Sequence, residues 1–193
     1  MYGLAEKLTD YLIKNEIKEE AKREECTYGF EMLFQKAIGY GTLLLLGSAL
    51  YKFIPTVVFL LTFCTLRERT GGFHMRTETG CFIVSIVQFL LIMRLGEVSI
   101  IRLPFIQLGI VLISILIIFL LAPLNHPNWN LNTEEVKQCR HLARMWTFIF
   151  AGIVVVSVYM DWFLEYIPYI VMGMGLDAGA LLLGKVVRQE VNQ

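Results

Sequence analysis

Leu103 to Leu121 is an unbroken run of 19 residues that carries no charge. A helix needs about 20 apolar residues to cross a hydrocarbon core about 30 Å thick, so this block reads as a membrane span. It is one of several. The chain is 56% hydrophobic and 18% charged, against about 25% charged in ordinary soluble domains, and the apolar excess is gathered into blocks. Six blocks are expected as helices: 37–51, 53–66, 81–95, 99–121, 145–160 and 162–183. Lys52, Gly96-Glu97 and Asp161 mark tight turns between them, while 67–80 and 122–142 are polar loops. The expected fold is all-α: a polytopic membrane helical bundle of about six transmembrane helices, residues 37–193, preceded by an N-terminal amphipathic segment, residues 1–36. In that segment Leu4, Leu8, Tyr11 and Leu12 share one helical face. Glu6, Lys7, Lys14 and Glu16 fill the other, a pattern that suits a helix lying on the bilayer or packing on its own protein.

Basic and acidic residues number 17 each, so net charge points to no partner and no nucleic acid is expected. Distribution is more informative than the total. Fourteen of the basic residues fall in 1–36, 67–80, 122–144 and 184–193, and the other three are Lys52, Arg94 and Arg102. Loops rich in Lys and Arg stay in the cytoplasm, which puts both termini and both polar loops on that side. Residues 1–25 are charged throughout and lack the apolar stretch of a secretory signal. The cysteines at 26, 64, 81 and 139 form no CxxC and read as free cytosolic thiols. His126, Cys139 and His141 match no standard zinc spacing, so no metal is expected, and no other cofactor.

The loop that begins Arg67-Glu-Arg-Thr-Gly-Gly-Phe-His74 and ends at Gly80-Cys81 holds a histidine and a cysteine seven residues apart. A thiol nucleophile needs conditions that favour the thiolate, and a base nearby. Cys81, placed at the opening of the third helix, has the helix dipole for the first, and Arg67, Arg69 and Arg76 add positive charge. His74 can supply the second. Seven residues of continuous helix rise about 10.5 Å, too far for a hydrogen bond, so the pair requires a bend. Gly71, Gly72 and Gly80 allow one.

The segment from Arg67 through Gly72, His74 and Cys81 resembles that of the accessory gene regulator B (AgrB) family of bacterial quorum-sensing peptidases. Tyr28-Gly29-Phe30-Glu31 is similar to the family's short segment before its first span, and Ala122-Pro123 with Pro127-Asn128 to its second loop. Where family members carry a lysine cluster in that loop, this chain reads Asn-His-Pro-Asn-Trp-Asn from Asn125. The resemblance implies a multi-pass protein of the bacterial cytoplasmic membrane whose substrate is an AgrD-like pro-peptide with an amphipathic leader and an acidic tail. It implies that Cys81 attacks the bond before the tail, with His74 as base, and that the acyl-enzyme is resolved by ring closure to a thiolactone or lactone.

Other residues have narrower expectations. Arg67 either binds a substrate carboxylate or the developing oxyanion, or is a cytoplasmic anchor. Gly72 shapes the loop. Glu78 is a candidate to orient His74. Asp177 and Glu165 lie in the sixth apolar block, where an ionisable group is expensive; Asp177 is expected to line the peptide pocket, Glu165 to sit at the outer face. Gly175 and Gly179 form a GxxxG pair suited to close packing within the bundle or in a homodimer. The alternative class is a non-enzymatic small transporter or scaffold in which His74 and Cys81 merely end a helix. A transporter should show inverted repeats, and none stands out.

Overall fold

The computed structural model describes residues 2–15, 20–73, 75, 77–124 and 131–187. They form seven α-helices: α1 (Tyr2–Lys14), α2 (Arg23–Ala49), α3 (Phe53–Thr70), α4 (Glu78–Leu95), α5 (Pro104–Leu121), α6 (Thr133–Met160) and α7 (Ile167–Val186). Short 3-10 turns cover Glu20–Lys22 and Ser99–Arg102. The all-α expectation holds. Among the described residues α5, α6 and α7 are long and apolar enough to cross a membrane, and Thr79–Leu95 is a shorter apolar helix.

The chain divides into two compact units, Met1–Leu46 and Gly47–Gln193. In the first, Thr27 Oγ1 donates to Thr9 Oγ1 at 3.1 Å, and Arg23 joins Asp10 to Glu20 by ion pairs. Ala5 and Thr9 are the buried face of α1, while Leu4, Leu8 and Tyr11 are exposed. An apolar face left open opposite a small buried one suits a helix at a lipid surface. Residues 36 and 37 lie inside the continuous helix α2.

In the second unit α7 is the central helix, packed against both α3 and α5, with α6 against the same two and α4 at the edge beside α7. Leu66, Ile118, Leu124, Val154, Val171, Met174 and Leu181 make the core. Its outer surface is apolar as well: Leu112, Ile113, Leu116 and Leu120 of α5 are all more than half exposed. Leu–Ile surface of this kind is at home in hydrocarbon, where it needs no burial by protein. Three buried hydroxyls are satisfied within their own helices. Thr62, Ser114 and Thr147 donate to the carbonyls of Val58, Ile110 and Ala143 at 2.7–3.0 Å, which removes the cost of an unpaired polar group in an apolar interior.

Several expected boundaries are corrected. The block 99–121 is broken at Leu103, whose extended backbone precedes Pro104 at the first position of α5, because proline disfavours the helical conformation in the residue before it. The polar stretch 122–142 is not wholly loop. Asn132 and Glu135 form a reciprocal capping box and α6 starts at Thr133. The sixth helix begins at Ile167, not Trp162, so Glu165 sits in the turn before it. Close packing of α7 is found away from Gly179: a Cβ there would meet nothing, whereas at Gly173 it would lie 3.2 Å from Thr62 and at Gly175 3.2 Å from Ile110.

Candidate active site

α3 ends where Gly71 takes φ 68° and Gly72 φ 113°, backbone regions that side chains rarely tolerate. The turn lays Gly71–Phe73 over the far end of α7. Phe73 N–H donates to Ala180 O at 2.8 Å, and Leu124 N–H to Thr70 O at 2.8 Å, with Gly71 and Leu124 bridged in parallel. Leu124 follows the cis Ala122–Pro123 peptide, and its amide bond to Thr70 O fixes the segment after α5 against the first loop. Two glycines make the approach possible. A Cβ on Gly72 would lie 3.0 Å from the Ala180 backbone, and one on Gly184 2.8 Å from Phe73 N. Arg67 closes the turn: Nη1 donates to Gly71 O and Nη2 to Phe73 O. Both ends of its fork therefore serve the loop.

Thr70, one residue before this turn, donates through Oγ1 to Asp177 Oδ1 at 2.9 Å, shorter than its 3.1 Å approach to Leu66 O. Asp177 has no exposed surface, so it does not open onto a pocket. Among the described residues no hydrogen bond reaches its Oδ2. A hydrogen bond to a charged group contributes about 1.5–3 kcal/mol, while removing a carboxylate from water costs several kcal/mol even after relaxation. Thr70 alone does not offset that.

α4 starts at Glu78, with Thr77 as its N-cap: Thr77 Oγ1 accepts from Gly80 N–H at 3.1 Å. Cys81 was expected to open this helix. It lies instead in the fourth helical position, its amide donating to Thr77 O at 3.0 Å. The cause is the Thr77 cap, which starts the helix three residues early. Cys81 stays close to the positive helix end, since side chains tilt toward the N-terminus. All four cysteines are free and half-buried, so exposure does not single out Cys81. Arg69 donates to Thr65 O at 3.2 Å and lies 3.5 Å from Glu68.

His74, Arg76 and His126 lie outside the described residues, as does the expected contact between Glu78 and His74. A cleft of about 520 Å³ is at the opposite end of the second unit, where Lys52, Glu97, Arg102, Glu165, Tyr166 and Tyr169 line it. Thr70, Phe73, Leu124, Ala180 and Gly184 were not foreseen as parts of the site. Gly184 carried a faint signal, being a small residue in an apolar helix; the others carried none.

The family model described as Accessory gene regulator B matches residues 5–180. A protein of Clostridium perfringens (strain 13 / Type A) named as AgrB-like is 27% identical over 139 residues, 68% of this chain and 65% of the relative. The chain thus spans a little under two thirds of the length of that relative. No solved structure matches it. With nearly its whole length covered by the family model, the chain belongs to the Accessory gene regulator B (AgrB) family.

Proposed function

We propose that this protein is a membrane-embedded cysteine endopeptidase that removes the C-terminal tail of an AgrD-like pro-peptide in peptide quorum sensing. Family membership supports the substrate class. The observation that most supports the site is the double engagement of Arg67. Its Nη1 and Nη2 donate to the carbonyls of Gly71 and Phe73, directly before His74 in the chain.

In this mechanism His74 takes the proton of the Cys81 thiol, and Sγ attacks the carbonyl carbon of the bond before the tail. A C–S bond forms, the C–N bond breaks, and His74 returns the proton to the leaving amine. The acyl group then rests on Cys81 as a thioester. A cysteine or serine of the peptide gives its proton to His74 and attacks that carbonyl; the thiolactone or lactone ring closes, the bond to Cys81 breaks, and His74 returns the proton to Sγ. Exchange of one thioester for another is nearly isoenergetic, so water must be excluded while the intermediate lasts.

The same proposal has α2 to α7 crossing the bilayer as six spans. Both termini and the loop bearing His74 face the bacterial cytoplasm, and α1 lies at the interface. A second copy would pack against the open side of Gly179. The test is mass spectrometry of the protein after incubation with a candidate pro-peptide encoded in its genomic neighbourhood. An acyl adduct on Cys81 is expected. Normal processing by Cys81→Ala, or an adduct on another cysteine, would overturn the proposal.

A further inference from the structure

We infer that the cleft beside Lys52 and Glu97, together with an apolar groove between α4 and α7, is a binding site for a phospholipid whose headgroup carries both a phosphate and a primary ammonium. Arg102 holds the phosphate and Glu165 the ammonium.

The cleft encloses about 520 Å³, inside the range of about 300–1,000 Å³ typical of ligand sites. Lys52, Glu97, Arg102 and Glu165 are its charged lining. The first two satisfy each other. Lys52 Nζ is 2.6 Å from Glu97 Oε1 and donates to Met93 O at 2.6 Å. Arg102 uses Nε alone, donating to Gly96 O at 3.1 Å. Among the described residues its two Nη groups and the Glu165 carboxylate make no hydrogen bond or ion pair. One open cation and one open carboxylate in the same cleft suit a ligand of both signs. The guanidinium fork matches phosphate oxygens, and the carboxylate matches an ammonium that can donate.

The groove supplies the second argument. It encloses about 180 Å³ and the surface it exposes is apolar. It adjoins the cleft along both of its helices. Leu95 lines the groove, and Glu97, two residues on, lines the cleft. On α7, Tyr169 of the cleft is followed at three- and four-residue intervals by Met172 and Leu176 of the groove, so one helical face serves both. From Gln88 to Leu95 the groove follows about 10 Å of α4, which fits within one leaflet of a hydrocarbon core about 30 Å thick. Tyr51 and Trp162 are strongly exposed at this end of the helices, as aromatic side chains are at headgroup depth. A two-signed cleft at that depth with an apolar groove below it matches a headgroup and its acyl chain. A water-soluble zwitterion would use the cleft alone. The inference rests on the proposed topology only for the leaflet, which is then the outer one.

The test is native mass spectrometry of the full-length protein in detergent, titrated separately with phosphatidylethanolamine and with phosphatidylglycerol of the same chains. One phosphatidylethanolamine should be retained at roughly tenfold lower concentration than phosphatidylglycerol, the effect of one charge-assisted contact. Glu165→Gln should remove that preference. Arg102→Gln should weaken both lipids, as should Leu91→Trp, which fills the groove from its exposed side. Arg94→Gln, outside cleft and groove, should change neither. Glycerophosphoethanolamine, the same headgroup without chains, should not displace the lipid at equal concentration.

Equal retention of the two lipids, or a preference unchanged by Glu165→Gln, overturns the inference. Full displacement by glycerophosphoethanolamine overturns the lipid as occupant and leaves a site for a small solute. Should Arg102→Gln fail to fold through loss of its bond to Gly96 O, Glu165→Gln and Leu91→Trp decide, since neither removes a hydrogen bond. Binding in detergent is read without orientation. Labelling that inverts the proposed topology would therefore move the site to the inner leaflet and leave the inference standing.

Discussion

The Phe73 amide donates to the carbonyl of Ala180, 2.8 Å away in the body of α7. A carbonyl inside a helix already accepts from the residue four places on, here Gly184. The absence of a side chain at Gly184 is what lets a second donor reach Ala180. Gly184→Val should push Phe73 off α7 and cost about 1–3 kcal/mol, the usual range for overpacking. Chemical or thermal unfolding in detergent measures this. Gly179→Ala, with open space beside it, should change stability little.

Cys81→Ala should abolish tail cleavage and adduct formation together. Cys81→Ser should lose most activity, because an alkoxide is much harder to generate than a thiolate. His74→Ala should slow cleavage by about 10²–10⁴, the range for a lost general base. Serine at Cys26, Cys64 or Cys139 should leave cleavage nearly intact. Single-turnover assays with an uncleaved pro-peptide separate these outcomes.

At the opposite end of the bundle, Lys52 Nζ is 2.6 Å from Glu97 Oε1 and 2.6 Å from Met93 O. The hydrogen bond from Lys52, then its charge, lowers the pKa of Glu97 from the ordinary value of 4.5. A carboxylate lowered in the folded state stabilises it above the unfolded pKa, and that contribution is lost as pH falls through the folded pKa. Melting temperature should therefore drop on acidification below the ordinary carboxylate range. Glu97→Gln should flatten that part of the profile; an unaltered slope would show that the pair contributes nothing measurable.

Single cysteines introduced into 67–80 or 122–142 of a cysteine-free variant should react with a membrane-impermeant maleimide only after the cytoplasmic side is opened. A cysteine at Ser99 should react from outside intact cells. Labelling of either polar loop from outside would invert or break the proposed six-span topology.

Much of this molecule was legible in its sequence, for identifiable reasons. The charge-free run to Leu121 and the breaks at Lys52 and Asp161 are local signals, and helices end near each of them. The start of α6 was legible too, in Asn132 and Glu135 three residues apart, but the prolines and asparagines before it favoured a loop. The Thr77 cap moved the start of α4 by three residues because one hydroxyl decides it. The link from Thr70 to Asp177 spans 107 positions, and no local pattern announces such a pairing. Polarity and apolar context made Asp177 conspicuous, but only the packing of α7 on α3 shows what it touches.

α6 has 28 residues, about 42 Å of helix at 1.5 Å per residue, against a hydrocarbon slab about 30 Å thick. Upright in the proposed topology, it leaves about 12 Å, roughly two turns, clear of the lipid, and the polar residues from Thr133 to Arg140 are the part suited to do so. Arg144 fastens their base by donating to Phe119 O at 3.2 Å with its guanidinium 4.9 Å from the Phe119 ring. The protruding part is thus a stiff mast on a braced foot. Its height above the membrane is written in residue number, so inserting one residue would lift its tip by about 1.5 Å and swing it by about 100°.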